Sequence, residues 1–402
     1  MSRPVRVLSL YEGFFAGGAR ILHSDVVAGL HASGQEHGVL SIASAAGREG
    51  TTQSIEDDPR YRRLVASGVR VSALGRIAGV HPPERDSFTT EELLVAAEAV
   101  RSADVVLSLK EQPVGLLLAL RDRGMMPDVP VAVCLHRSDP LHSGPALGWL
   151  VEAAATGLVT ATISCAESTS EAYARAGVAA GIRSVVANGI DTDRFRPGTA
   201  EGDAATRARL GIPGGVPVVV FAARFDAMKD PGLFLRAVSV HAVANPDAHY
   251  VLCGAGMTGG NDAFTALATE SGVSPSGRVH ALGIVEDMPS LYRIADIVAL
   301  TSAFGEASPL CLVEGAACGA TPVTTDVGDA ARRVEGIGVV TSHDAHAIAS
   351  AWSDVLGRRA ELRRAALTAR PGLGRERMIE EYRGVVDDLV ADRRMAEVAL
   401  AG

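Results

Sequence analysis

Two carboxylates eight positions apart, Glu306 and Glu314, are the residues of this chain whose types and surroundings best suit chemistry. Ile297 to Leu300 is an apolar run of strand length, Ser308 and Pro309 suit a helix N-cap and first helical position, and Gly319 with Pro322 forms a stop signal. The stretch therefore predicts strand, loop, short helix and second strand (322–325), with Glu306 in the loop and Glu314 the one charged residue between the helix caps. On a helical wheel Glu314 falls beside Leu310, Ala317 and Cys318, a face expected to be buried, where an acid needs a partner. The two acids flank a helix N-terminus whose free N–H groups and dipole suit an anion such as a phosphate. A lone Glu near a helix end is usually solvated. The preceding strand and the nearly uncharged helix raise this pair above that.

Phe221-Ala-Ala-Arg224-Phe-Asp-Ala-Met-Lys229-Asp-Pro-Gly puts two cations five apart, between a strand at 217–222 and a helix at 233–243. Arginine offers a bidentate fork and lysine a point charge, which together suit the two phosphates of a nucleotide-sugar. Spacing alone leaves a solvated basic loop at even odds. Glycine turns follow two further strands, at Gly254-Ala-Gly256 and at Gly283-Ile284. Near the N-terminus, Phe14-Phe-Ala-Gly17-Gly18-Ala-Arg20 lies between the first strand and first helix, where a glycine pair lets the backbone approach a phosphate. There is no G-x-G-x-x-G, which lowers a dehydrogenase reading. Cys134-Leu-His136-Arg-Ser-Asp139 follows the strand 131–135, and ligand residues of open α/β sheets gather at such carboxyl ends, although a single histidine is more often structural. Glu111, after the strand at 105–109, could also face the cleft, but nothing specific raises it above a surface acid.

Strand-like runs alternating with amphipathic helical stretches are what must hold these residues. One series runs from Val5–Leu10 through 36–42, 69–73, 105–109, 131–135, 160–164 and 184–186; a second runs from 217–222 through 250–254, 279–282, 297–300, 322–325 and 338–340. This alternation predicts parallel sheets covered by helices on both faces. The stretch Asp191–Gly215 between the series, rich in Gly, Pro, Asp and Arg, reads as the hinge, and Asn188-Gly-Ile-Asp191 with Phe195 as a tight turn and a hydrophobic anchor. From Arg375 onward the chain reads as one or two charged amphipathic helices.

With 402 residues the chain has room for two or three domains. Its 47% hydrophobic, 21% charged and 4% aromatic composition is that of a globular protein, and a formal net charge of −9 argues against nucleic acid or an anionic membrane as the main partner. The five cysteines form no C-x-x-C pair and read as buried thiols of a reducing compartment, with no metal site. Absent a signal-peptide pattern and an apolar run of spanning length, the expected location is the cytoplasm, with no integral membrane span.

Taken together, Glu306 and Glu314 with Gly319 and Pro322, the Arg224-x4-Lys229 pair, Gly17-Gly18, His136 and the Asn188 to Pro197 segment resemble, in order, the retaining glycosyltransferases of family 4. The resemblance implies an α/β fold of the GT-B type, two Rossmann-like domains with parallel sheets facing across a cleft. It puts an acceptor-binding domain at 1–195, to which a helix at about 376–402 crosses back, and a donor-binding domain at 196–375. It implies transfer of a sugar, with retention, from a nucleotide-diphospho-sugar (UDP favoured) to a hydroxyl of an acceptor that is a small molecule, a glycan or lipid-linked, without metal or other cofactor. By the same resemblance Glu306, His136, Arg224 and Lys229 are catalytic; Gly17, Gly18, Gly254, Ile284, Ala307, Ser308, Pro309, Leu310 and Glu314 join Arg224, Lys229 and Glu306 in binding the donor. Two departures stand out: Glu306-Ala-Ser-Pro309 replaces the commoner Glu-Gly-Phe-Gly, and Val327-Gly328-Asp329 replaces a frequent Gly-Gly. A nucleotide-sugar epimerase of the same plan and a non-catalytic sugar-binding protein are the alternatives.

Overall fold

The structure is a computed structural model and describes residues 3–15, 18–48, 51–79, 81–274 and 277–401. The chain divides into two compact units, 1–188 with 375–402, and 189–374.

In the first unit the strands are β1 (Arg6–Tyr11), β2 (Glu36–Arg48), β3 (Thr51–Ser54), β4 (Arg70–Ala78), β5 (Val105–Leu109), β6 (Val131–Leu135), β7 (Ala161–Ser164) and β8 (Ile182–Val185). Between them come the helices α1 (Gly18–Ala32), α2 (Pro59–Ala66), α3 (Thr90–Arg101), α4 (Val114–Asp122), α5 (Pro145–Ala155) and α6 (Glu167–Arg175). Among the described residues the sheet has the order β3-β2-β1-β5-β6-β7-β8, with β4 paired to β2. Strands β5 and β6 are buried at every position, as continuous apolar runs in the middle of a parallel sheet should be. The sheet is not wholly parallel. β2 runs on well past Ile42, where the sequence pattern ends it, and β3 pairs with that extension in antiparallel register, Ala45 opposite Ser54.

The second unit opens with α7 (Ala200–Leu210), then β9 (Val218–Ala222), α8 (Pro231–Ala244), β10 (His249–Cys253), α9 (Asp262–Glu270), β11 (Val279–Ala281), α10 (Met288–Ile294) and β12 (Ile297–Leu300). It continues through α11 (Leu310–Cys318), β13 (Thr321–Thr325), α12 (Ala330–Arg333), β14 (Val339–Thr341), α13 (Ala345–Gly357) and α14 (Arg359–Ala369). Its strand order is β11-β10-β9-β12-β13-β14, all parallel. Counted from β9 this is the 3-2-1-4-5-6 order of a doubly wound nucleotide-binding sheet, and the order reverses between β9 and β12.

The stretch expected to be the hinge is built structure. Thr199 caps α7, Gly211 ends it at φ +67°, and Arg207 donates to the carbonyls of Pro213, Val216 and Ile294, fastening the helix to its unit. The chain passes from one unit to the other at Asn188/Gly189 and returns at Gly374/Arg375. The final helix, α15 (Arg375–Ala401), packs on α1: a Cβ on Gly29 would meet Ile379, Tyr382 lies edge-on to His23, and Arg377 donates to the Ala187 carbonyl at 2.7 Å.

Candidate functional site

The carboxyl ends of β9 and β12 lie side by side where the strand order reverses, the place at which open α/β sheets bind ligands. The loop after β9 carries Arg224 and Lys229; the loop after β12 carries Glu306 to Pro309. Backbone and hydroxyl hydrogen bonds tie the two loops together. Ala303 N–H donates to the Met228 carbonyl at 2.9 Å, and the Thr301 hydroxyl reaches the carbonyls of Lys229 (3.2 Å) and Asp230 (3.0 Å).

In this frame Lys229 Nζ forms an ion pair with Glu306 Oε1, and the Ser302 hydroxyl donates to the same oxygen. The Glu306 side chain is 5% exposed and that of Lys229 16%, so the carboxylate is held out of water by an ammonium and a hydroxyl. Behind Glu306, the Thr325 hydroxyl donates to the Ser302 carbonyl at 2.7 Å, and Gly328 packs its bare Cα against the Glu306 carbonyl. Arg224 is largely exposed and donates from Nε to Asp226 at 2.9 Å, while the other Asp226 oxygen accepts from Met228 N–H.

The helix after Glu306 starts later than expected. α11 begins at Leu310, Pro309 occupies the cap position, and no side chain caps the first turn. Ser308, read from the sequence as the cap, points elsewhere: its hydroxyl oxygen is buried without a hydrogen-bond partner among the described residues. The reason is the order Ser-Pro. Proline at 309 lies extended at ψ 110°, moving the helix start one residue beyond the reach of Ser308. The open first turn of α11 and the orphaned Ser308 hydroxyl are two polar features awaiting an acceptor.

Glu314 finds the partner its position demands. It is half-buried and accepts from the Tyr292 hydroxyl at 3.1 Å. Burial pushes its carboxyl above the ordinary range, against the Tyr292 hydrogen bond and the nearby Arg194 charge. Gly254 has φ +133°, and a Cβ there would overlap the Ala223 carbonyl, so crossing of the β9 and β10 loops already requires glycine. Ile284 is 78% exposed, Ala307 and Leu310 are half-buried, and Pro309 is buried.

The first unit holds the other expected site residues. Gly18 opens α1 and is exposed; Gly17 lies outside the described residues. His136 directly follows β6, half-buried with Nε2 buried and unpaired; burial, then the Lys110 charge, lowers its pKa to about 4, so the ring is neutral near neutrality. Asp139 accepts from Leu141 N–H at 2.9 Å and so serves a local turn. Glu111 is no surface acid. It is fully buried, accepts from the Tyr173 hydroxyl and lies 3.8 Å from Arg137 Nε, with its pKa raised by burial. Alone in sequence Glu111 carries no sign of this, because Tyr173 and Arg137 come from distant segments. Ser302 and Tyr292 were likewise invisible as site residues, a serine after a strand being too common to single out.

Two doubly wound, parallel-sheet α/β domains of the GT-B type are thus the fold. Residues 216–358, which include both loops of the β9/β12 site, match the family described as Glycosyl transferases group 1. The chain is 36% identical over 182 residues to the D-inositol 3-phosphate glycosyltransferase of Corynebacterium jeikeium (43% of this chain, 42% of that protein). To the enzyme of the same name from Salinispora tropica it is 33% identical over 228 residues, or 52% and 47% of the two chains. The matched segments thus span less than half of these relatives. Among solved structures, Anabaena Alr3699/HepE in complex with UDP superposes with a TM-score of 0.75 at 19% identity, covering 96% of this chain and all of that one. Sucrose-phosphate synthase from Thermosynechococcus elongatus superposes with a TM-score of 0.67 at 17% identity, with the same coverage. Among the described residues no helix is long and apolar enough to cross a membrane.

Proposed function

We propose that the chain is a retaining glycosyltransferase of family 4 that transfers a sugar from a nucleotide-diphospho-sugar, UDP-linked by preference, to an acceptor hydroxyl, without a metal, in the cytoplasm. The observation that carries the proposal is the Lys229–Glu306 pair at the reversal point of the β9/β12 sheet. A cation and a carboxylate in contact suit a ligand whose phosphate and sugar hydroxyls are themselves neighbours, which is the anomeric end of a nucleotide-sugar.

In this reading the 189–374 unit binds the donor. Lys229, Arg224 and the uncapped first turn of α11 offset the charge of the departing diphosphate as the glycosidic bond breaks, and the free Ser308 hydroxyl adds a donor. Glu306 accepts from hydroxyls of the transferred sugar. Glu314, steadied by Tyr292, accepts from the ribose. The first unit binds the acceptor, and neutral His136 positions the reacting sugar while a donor phosphate oxygen takes the acceptor proton. The similarity to D-inositol 3-phosphate glycosyltransferases and the UDP bound by Alr3699/HepE support this choice of reaction and donor.

The test is calorimetric titration with UDP, GDP and ADP in excess EDTA, followed by turnover with the matching nucleotide-sugars. UDP binding that survives EDTA and is lost in Lys229→Met supports the reading. Absence of binding to all three, or activity that needs added magnesium or manganese, defeats it. Conversion of donor to an epimer without transfer would favour the epimerase.

A further inference from the structure

The amino ends of β1 and β5 carry a separate set of charges, at the pole of the first unit's sheet opposite the strand end that His136 follows. Arg3 and Arg6 at the start of β1, Arg101 at the end of α3, and Arg393 and Arg394 on α15 line one cavity of about 150 Å³, with Asp104 the one acid among them. In a chain of net charge −9, five guanidinium groups brought from three distant segments to face one carboxylate are not a chance of composition.

That carboxylate is already committed. Asp104 accepts from Arg3 Nη2 at 2.8 Å, from the Arg6 backbone N–H at 2.9 Å and from Arg6 Nη2 at 3.5 Å. Arg101 pairs with Glu98 at 2.6 Å, but both side chains are largely exposed, and such a pair offsets little charge. Two groups are left over. Arg6 Nε is buried without a hydrogen bond, and Arg394 forms no ion pair or hydrogen bond among the described residues. The dipole at a helix carboxyl terminus accounts for Arg101 by itself, not for its convergence with arginines from β1 and α15.

We propose that this cluster is an anion site of the first unit, which takes a compact phosphate-class oxyanion of the size of inorganic diphosphate. A multiply charged oxyanion would relieve both the orphaned guanidinium N–H and the like charges facing one another across the cavity, and the arginine fork is the group that holds phosphoryl oxygens bidentately. The cavity has the volume of a few waters, room for one or two phosphoryl groups and not for a nucleotide. An anion there bridges β1, α3 and α15, and so fastens the final helix to the sheet. The site shares no residue with the β9/β12 loops or with the turn after β6, and it stands apart from the glycosyltransferase reading.

The probe is inorganic diphosphate, added to the full chain and followed by amide hydrogen exchange resolved along the sequence, so that the response is read at the site itself. Exchange should slow, with one saturation midpoint, at 389–395 of α15 and at the start of β1. Arg394 is exposed, so Arg394→Gln leaves the fold intact and should raise that midpoint about ten-fold, the worth of a charge-assisted hydrogen bond; Arg101→Gln should raise it too. Asp104→Asn keeps an acceptor for the Arg6 N–H while removing the competing charge, and should lower the midpoint. Protection confined to 189–374, or a midpoint unchanged in both Arg394→Gln and Arg101→Gln, overturns the proposal. So does adsorption to vesicles of phosphatidylglycerol and phosphatidylcholine without a saturable response to diphosphate, which would make the arginines a membrane contact.

Discussion

Gly328 and Glu306 touch through backbone: a Cβ on Gly328 would overlap the Glu306 carbonyl oxygen, and Gly328 has φ +58°. The loop after β13 therefore sets the height of the loop after β12, and with it the carboxylate that faces Lys229. Gly328→Ala meets both obstacles at once. Left-handed backbone costs an alanine about 1–2 kcal/mol, before any movement of Glu306. The expected result is a lower melting temperature together with at least a ten-fold fall in turnover of UDP-sugar. Wild-type turnover in this variant would show that Glu306 need not be held where it is.

The Lys229–Glu306 pair separates stability from function. Breaking a buried pair leaves one charge uncompensated and costs about 3–5 kcal/mol, whereas replacing both partners with neutral residues of similar size costs little. Lys229→Met should therefore lower the midpoint of denaturant unfolding more than the double variant Lys229→Met/Glu306→Gln does. Turnover should stay abolished in both. Recovery of activity in the double variant would make the pair a structural device only.

Glu314 gives a prediction in pH. Its folded-state pKa is raised above the 4.5 of an ordinary glutamate, chiefly by burial. A raised carboxyl favours the fold below that value, and the contribution is lost as pH climbs through the folded pKa. Glu314→Gln removes this loss. Its stability relative to wild type should therefore increase as pH rises from below 4.5 through the folded pKa, while its affinity for UDP falls about ten-fold for want of the ribose acceptor. A flat stability difference across that range would mean Tyr292 and Arg194 fully offset burial.

The two parallel series of strands were legible because central parallel strands are apolar without interruption, as at β5, β6 and β12. The second unit's loop residues were legible because Arg224, Lys229, Glu306 and Glu314 sit at the ends of such strands or in the helix after them. What stayed hidden depends on partners distant in sequence. Glu111 becomes a buried acid only when Tyr173 and Arg137 arrive, and Ser302 matters only because Lys229 meets Glu306 beside it. Ser308 misled for a local reason, since the proline after it is extended and shifts the helix start. The 191–215 stretch misled by composition, because α7 is polar on most faces and only Thr206 of it is buried.

Retention of configuration is the sharpest expectation, and His136 is the residue that decides it. Inversion by direct displacement needs a base on the face opposite the leaving group. His136 is neutral near pH 7, with its pKa lowered to about 4 by burial and then by Lys110, and its Nε2 has no hydrogen-bond partner, so it has the protonation state a base requires. A depressed histidine pKa works against stability as pH falls: neutral His136 holds the fold above the 6.5 of the unfolded chain, and that contribution is lost on the way down to about 4. His136→Asn should therefore remove some of the acid lability of the wild type, whichever role the residue has in turnover. The roles part in the product. A positioning histidine leaves His136→Asn partly active, with an α-linked donor giving an α-glycoside in both proteins; a base leaves the variant nearly dead and the wild type making a β-glycoside. Proton NMR of the anomeric coupling, recorded before the product can equilibrate, reads this directly, and a β-glycoside would overturn the retaining mechanism.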